Sequence, residues 1–301
     1  MCFNVVIINK RKKDIRTQIF NLLVYARFNR DGFSIYHIRD SEEKVYRTLD
    51  FDKFVEYLKG NIKNDRLIHL HFRAASSGSV SLRNVHMWKV SRNKENSEYY
   101  FISHNGFVRR LSHITYIHPN IYYWSRTLNR ISKSKIIKEL NNSVEEEIDS
   151  DTLQFIKTED FQNALFSDLT QLNKVLEKYD FWGILFATNP KRIVAVSYGK
   201  PLHITLSNSV LYLSNDDVVP LVARKKKIFG FDFEDALHTT YEDVVILFDV
   251  EKMKVEKIIK LERKVYYYTK AYFNSMNGAK KNEEIDEETL KHIDETHWYY
   301  Y

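Results

Sequence analysis

Strand-like and helix-like runs come in blocks along this chain, not in strict β-α-β alternation, and that order points to an α+β fold with mainly antiparallel sheets. Residues 2–8 open with a short, β-branched run that reads as a buried strand. Residues 14–25 then space Ile15, Ile19, Leu22 and Leu23 along one helical face. The turn at residues 29–32 leads into a strand over 33–38, a helix over 51–58 and a strand over 66–72, and a small-residue loop fills 74–81. A strand over 99–103 runs into His104-Asn105-Gly106, helical character spans 124–140, and Ser150 is placed to cap a helix starting at 151–156. Helical spacing returns over 169–176. Strands follow at 183–188 and 192–198, then at 203–206 and 210–213, and the hairpin of 244–249 with 254–259 comes last.

At 301 residues and 44% hydrophobic content the chain can bury an ample core. No apolar run approaches the roughly 20 residues of a membrane helix. The first residues lack the basic flank of a signal peptide, so no membrane association and a cytoplasmic location are expected. A net charge of +6 is modest, and the basic clusters at 10–13 and 224–227 are balanced by acidic runs at 145–147 and 283–295. Solvated faces account for them, and nucleic acid is not expected as a partner. Eight glycines leave little room for a phosphate-binding loop, and no cofactor is expected. The chain ends Trp298-Tyr299-Tyr300-Tyr301, aromatics that either pack on the domain or meet another copy in a homo-oligomer.

The single cysteine excludes a disulfide framework and a cysteine-rich zinc site. It stands at position 2, where removal of the initiator methionine puts a thiol and a free α-amine on one residue. A thiol of pKa about 8.5 is only a few per cent ionised at pH 7. An α-amine of pKa roughly 7.7 to 8.0 accepts its proton, so such a residue is nucleophile and general base together.

Several motifs share this order. They are Asn29-Arg30-Asp31-Gly32, His71-Phe72-Arg73-Ala74-Ala75-Ser76-Ser77-Gly78, Asn84-Val85-His86, Ser103-His104-Asn105-Gly106, Ser150-Asp151-Thr152 and Gly199-Lys200-Pro201-Leu202. Together with Met1-Cys2 they resemble the class II glutamine amidotransferases of the small stand-alone type, over about residues 2 to 216 with the hairpin to 261 also family-like. The resemblance implies a four-layer αββα sandwich of the N-terminal-nucleophile hydrolases, with L-glutamine as substrate. It implies that Cys2 attacks the side-chain amide, that Asn105 and Gly106 stabilise the oxyanion, and that Arg73 and Asp151 hold the α-carboxylate and α-ammonium. A planar guanidinium suits a carboxylate because it makes two parallel charge-assisted bonds. His71, His86 and His104 fall at motif positions that do not coordinate metal, and no metal is expected.

The chain departs from the family in three places. Ala74 stands where many members carry an aromatic residue. Asn105 and Asp151 are further apart than usual, which implies an insertion at about 111–147 and leaves Asp168, in a second Ser-Asp pair, as the rival ammonium ligand. The domain is expected over 2–261 with an extension at 262–301, and no synthetase region follows, so an ammonia acceptor is expected to be a separate protein. The alternative is a chain that keeps the fold without the chemistry, in a binding or structural role.

Overall fold

The computed structural model describes residues 2–92, 98–111, 149–223, 225–228, 231–234 and 236–263. The chain divides into two compact units, Met1–Arg263 and Lys264–Tyr301, and all described residues belong to the first. The helical stretch expected at 124–140, and nearly all of the insertion at 111–147 and the extension at 262–301, lie outside the described residues.

In chain order the strands begin with β1 (Phe3–Ile8), β2 (Phe33–Arg39), β3 (Glu42–Thr48), β4 (Leu67–Phe72), β5 (Trp88–Ser91), β6 (Tyr99–Val108), β7 (Phe181–Thr188) and β8 (Arg192–Tyr198). They continue with β9 (Leu202–Ser207), β10 (Val210–Ser214), β11 (Lys225–Ile228), β12 (Phe231–Glu234), β13 (Ala236–Tyr241), β14 (Val244–Asp249) and β15 (Lys254–Lys260). The helices are α1 (Arg16–Leu22), α2 (Phe51–Asn61), α3 (Asp151–Ile156), α4 (Glu159–Phe166), α5 (Leu172–Lys178) and α6 (Val219–Val222). One sheet runs β13-β9-β10-β1-β4-β2-β3 and the other β15-β14-β8-β7-β6-β5, with β11 and β12 forming a separate ribbon. Every neighbouring pair is antiparallel.

Three apolar cores stack these elements into four layers. Phe3, Val5 and Ile7 on one face of β1 pack with Ile19 and Leu22 of α1 and with Phe54 and Leu58 of α2. Val6 and Ile8 on its other face meet Ile184 and Phe186 of β7 and Ile246 of β14, across the space between the sheets. The far face of the second sheet packs Ile102, Leu185 and Val245 against Phe155 of α3, Phe161 of α4 and Leu176 of α5. A strand covered on both faces has no polar side to show, which is why β1 reads as a continuous apolar run. The order is therefore helices, sheet, sheet, helices: an α+β sandwich with antiparallel sheets.

Two local readings change. The strand expected to stop at Ser103 continues to Val108, so Asn105 and Gly106 lie within β6, opposite Ile184 and Gly183 of β7. Residues 159–166, which the sequence reading leaves unassigned, form α4, with Thr158 accepting from the Phe161 N–H as its cap.

Candidate active site

The residue before β1 is Cys2, and alternation along the strand puts it on the same face as Asn4, Val6 and Ile8, toward the second sheet. Asn4 there accepts a hydrogen bond from Ser103 Oγ of β6 at 2.7 Å. Ser77, in the loop after β4, contacts Asp151, and Asp151 in turn contacts Val108, so the Val108 end of β6 lies at the Cys2 end of β1. Two residues on from Ser103, Asn105 thus reaches the level of Cys2 from the facing sheet. Its partner across the ladder, Ile184, belongs to the core between the sheets, which fixes the face on which Asn105 sits.

The thiol lies against the backbone that follows β4: Ala74 N–H donates to Sγ at 3.3 Å, and Sγ is 3.5 Å from the Ala74 carbonyl oxygen. Burial pushes the Cys2 thiol above its ordinary pKa, and this outweighs the Ala74 N–H and the cations of Arg73 and Lys200, which act to lower it. At the other end of the residue, Asn215 Nδ2 donates to the Cys2 carbonyl oxygen at 3.4 Å, and Asn215 Oδ1 accepts from the Asn4 N–H.

Arg73 is 2% exposed, and two of its five N–H donors are spent on the carbonyls of Ser77 (2.8 Å) and Ser79 (3.0 Å). These bonds fold the small-residue loop around the guanidinium. Asp31 Oδ2 accepts from the Ala75 N–H at 2.8 Å and so pins the loop's other limb. Asp151 opens α3 beneath the Ser150 cap, its N–H donating to Ser77 Oγ at 3.1 Å. Its carboxylate accepts from the N–H groups of Val108 (2.7 Å) and Thr152 (2.8 Å). Burial nevertheless raises its pKa above the usual carboxylate value, against those bonds and the Arg73 charge. Asp168 is elsewhere in character: exposed, it caps a 3-10 turn through the Thr170 N–H. The fold thus joins Asp151 to the Arg73 loop and leaves Asp168 on the surface.

Asn105 is 1% exposed, and both atoms of its amide are buried without a hydrogen-bond partner among the described residues. An orphaned buried polar group costs about 1–3 kcal/mol, so this amide is an energetic liability in the free protein. The backbone beside it is built around close approach. A Cβ on Gly106 would fall 1.9 Å from the Trp182 carbonyl oxygen, and one on Gly183, whose φ is +131°, would fall 2.2 Å from that of Asn105. The His104 ring lies over this glycine pair, with Nε2 3.1 Å from the Trp182 carbonyl oxygen and Nδ1 2.8 Å from Thr152 Oγ1. His104 N–H donates to His86 Nδ1 and Val108 N–H to Asp151, both off the edge of β6 away from β7. By the period of two, the Gly106 N–H points off the same edge.

The histidines of this region are neutral. Burial pushes His69 and His104 down to about 3 and holds His71 and His86 well below their usual value. The rings of His71 and His86 stack at 3.7 Å, and His69 hydrogen-bonds Thr188 and Ser103. No group of three or more side chains suited to a metal ion occurs among the described residues.

No protein-family model matches the chain, and no curated protein does. Solved structures do. The allosteric regulatory enzyme of purine biosynthesis is similar with a TM-score of 0.53 and 14% identity, over 85% of this chain and 49% of that one. The fold is that of a class II glutamine amidotransferase domain. A glutamine phosphoribosylpyrophosphate amidotransferase from B. subtilis (TM-score 0.49, 11% identity, 85% and 49% covered) is also similar. So is a glutamine aminotransferase class-II domain protein from silicibacter pomeroyi (0.40, 10%, 87% and 100%). This chain spans about half the length of the first two.

Within the amidotransferase fold, two residues near the thiol escaped the sequence reading. Lys200, in the turn before β9, is buried with its ammonium 5.7 Å from the Trp182 ring centroid, and burial lowers its pKa. It stands inside a motif already quoted, so its charge was the available signal. Asn215 carries no such signal, because its role comes from β10 lying beside β1.

Proposed function

We propose that the chain hydrolyses the side-chain amide of glutamine to glutamate and ammonia through a thioester on Cys2. The observation that carries this reading is the convergence of an enclosed thiol, a buried guanidinium in the adjoining loop and an unpartnered amide on the facing strand. Removal of Met1 leaves the Cys2 α-amine to take the thiol proton as sulfur attacks the δ-carbonyl. Negative charge then builds on the carbonyl oxygen, where Asn105 Nδ2 and the Gly106 N–H donate to it. The C–N bond breaks, the amine returns the proton and ammonia leaves. Water then cleaves the γ-glutamyl thioester, freeing glutamate and the thiol.

Arg73 holds the substrate α-carboxylate with the donors that Ser77 and Ser79 leave over. Asp151 holds the α-ammonium; an arriving cation offsets the desolvation that raises its pKa and favours the charged form. No described helix is long and apolar enough to cross a membrane. The deciding experiment measures ammonia release from glutamine by Met-processed protein beside its Cys2→Ala variant. Equal release by the two sinks the proposal.

A further inference from the structure

Four buried polar atoms without partners lie on three neighbouring side chains between the sheets: Asn4 Nδ2, His71 Nδ1, and Asn105 Nδ2 and Oδ1. Asn4 and His71 are direct cross-strand partners in β1 and β4. Asn105 follows Ser103, which hydrogen-bonds Asn4. Elsewhere among the described residues such atoms fall singly on the partly exposed Gln18 and Arg39, while Asp149 Oδ1 meets Arg83 Nε in an ion pair.

The chemistry of the three groups is specific. His71 Nε2 faces the His104 carbonyl oxygen at 3.3 Å, and a carbonyl only accepts, so Nε2 carries the proton. Nδ1 of this neutral ring is therefore a bare acceptor. Asn4 has one amide atom engaged by Ser103 and His69, and whichever way the amide is turned its other atom is left over. Asn105 offers both a donor and an acceptor. Satisfying such a set takes a molecule that both gives and accepts hydrogen bonds and fits between three side chains.

We propose that Asn4, His71 and Asn105 form a buried subsite beside Cys2 for a single small neutral hydrogen-bonding molecule, water or ammonia. Water there sits in reserve beside the site of thioester hydrolysis; ammonia there is the leaving group retained before release. Only this catalytic consequence rests on the glutaminase reading, while occupancy of the subsite does not.

The test therefore reads occupancy in the resting full-length protein. Long-range imidazole correlations on 15N-histidine-labelled protein report whether His71 Nδ1 accepts a hydrogen bond. Water relaxation dispersion on the wild type and on Asn4→Leu reports a long-lived internal water. A hydrogen-bonded Nδ1, with an internal water that Asn4→Leu loses, supports the subsite with water as occupant. A saturable shift of the His71 Nδ1 signal on adding ammonium chloride above pH 9, absent with sodium chloride, supports it with ammonia. A bare Nδ1 resonance, unmoved by ammonium and without a long-lived water, overturns the proposal. These outcomes stand whether or not Cys2→Ala abolishes ammonia release.

Discussion

The space between the two sheets has two unlike halves. One is made of Val6, Ile8, Leu67, Leu213, Ile193, Ile246 and Phe248, a dry core of ordinary composition. The other is made of Asn4, His69, His71, Ser103, Asn105 and Thr188, equally buried but polar, and it extends to Cys2. The same strands cross both halves, so the difference comes from side chains alone. The apolar half makes the sandwich close, and the polar half gives up some of that stabilisation to hold the proposed site.

The sharpest break between the halves is at Cys2, the proposed nucleophile. Cys2→Ala is expected to lower ammonia release by roughly 10⁴- to 10⁶-fold, measured on protein whose N-terminus has been verified by mass. Acid reads the polar half next. Histidines held neutral by burial bind no proton in the fold but bind one when unfolded below pH about 6.5. Stability is thus complete above that pH and is lost as pH falls through it toward the folded values, about 3 for His69 and His104. Each buried histidine contributes up to about 1.4 kcal/mol of loss per pH unit. Thermal midpoints should drop steeply from pH 6.5 to 5; a flat profile there contradicts the neutral assignment.

Paired truncations, one per half, separate the roles. Asn105→Ala should cost about 100- to 1000-fold in kcat and leave the thermal midpoint nearly unmoved, because its amide has no protein partner to lose among the described residues. Ile246→Ala should do the reverse, costing about 2–5 kcal/mol of stability with unchanged turnover per folded molecule. If both variants lose stability alike, the contrast between the halves fails. Asp151→Asn should raise KM about 10- to 100-fold, as expected when a charged partner of the substrate ammonium is neutralised. The smallest effect belongs to Asp168→Asn, which should leave KM unchanged and stability within about 0.5 kcal/mol. A KM effect at Asp168 instead of Asp151 would reassign the ammonium ligand.

The central strands β1, β4, β7 and β8 and the neighbouring β14 were legible in the sequence, because burial on one or both faces forces an apolar pattern, and the exposed β15 was legible only as the return arm of a hairpin. The strands β3 and β13 were not: Glu42–Thr48 and Ala236–Tyr241 lie at sheet edges, and solvent imposes little pattern on them. The Ser150 cap was legible because capping is local. Asn105-Gly106 looked like the end of a strand because turn chemistry is local as well, while the partner that keeps it extended, Gly183, lies far along the chain. Motif order brought Cys2, Arg73, Asn105 and Asp151 into view as candidates. What it could not convey was the connection among them, through Ser77, Val108 and Asn215, which exists only once the strands are stacked.

The facing glycines of β6 and β7 carry a lesson for anyone moving this arrangement to another scaffold. Because each leaves the clearance the other needs, a methyl group at either position alone spoils the seat of the His104 imidazole, and repairing one without the other recovers nothing. The ring also reaches Thr152 on the first turn of α3, so the donor edge at 105–106 and the helix bearing the acidic residue travel as one piece. Grafting the side chains without that bare patch of backbone would reproduce the residues and lose their alignment.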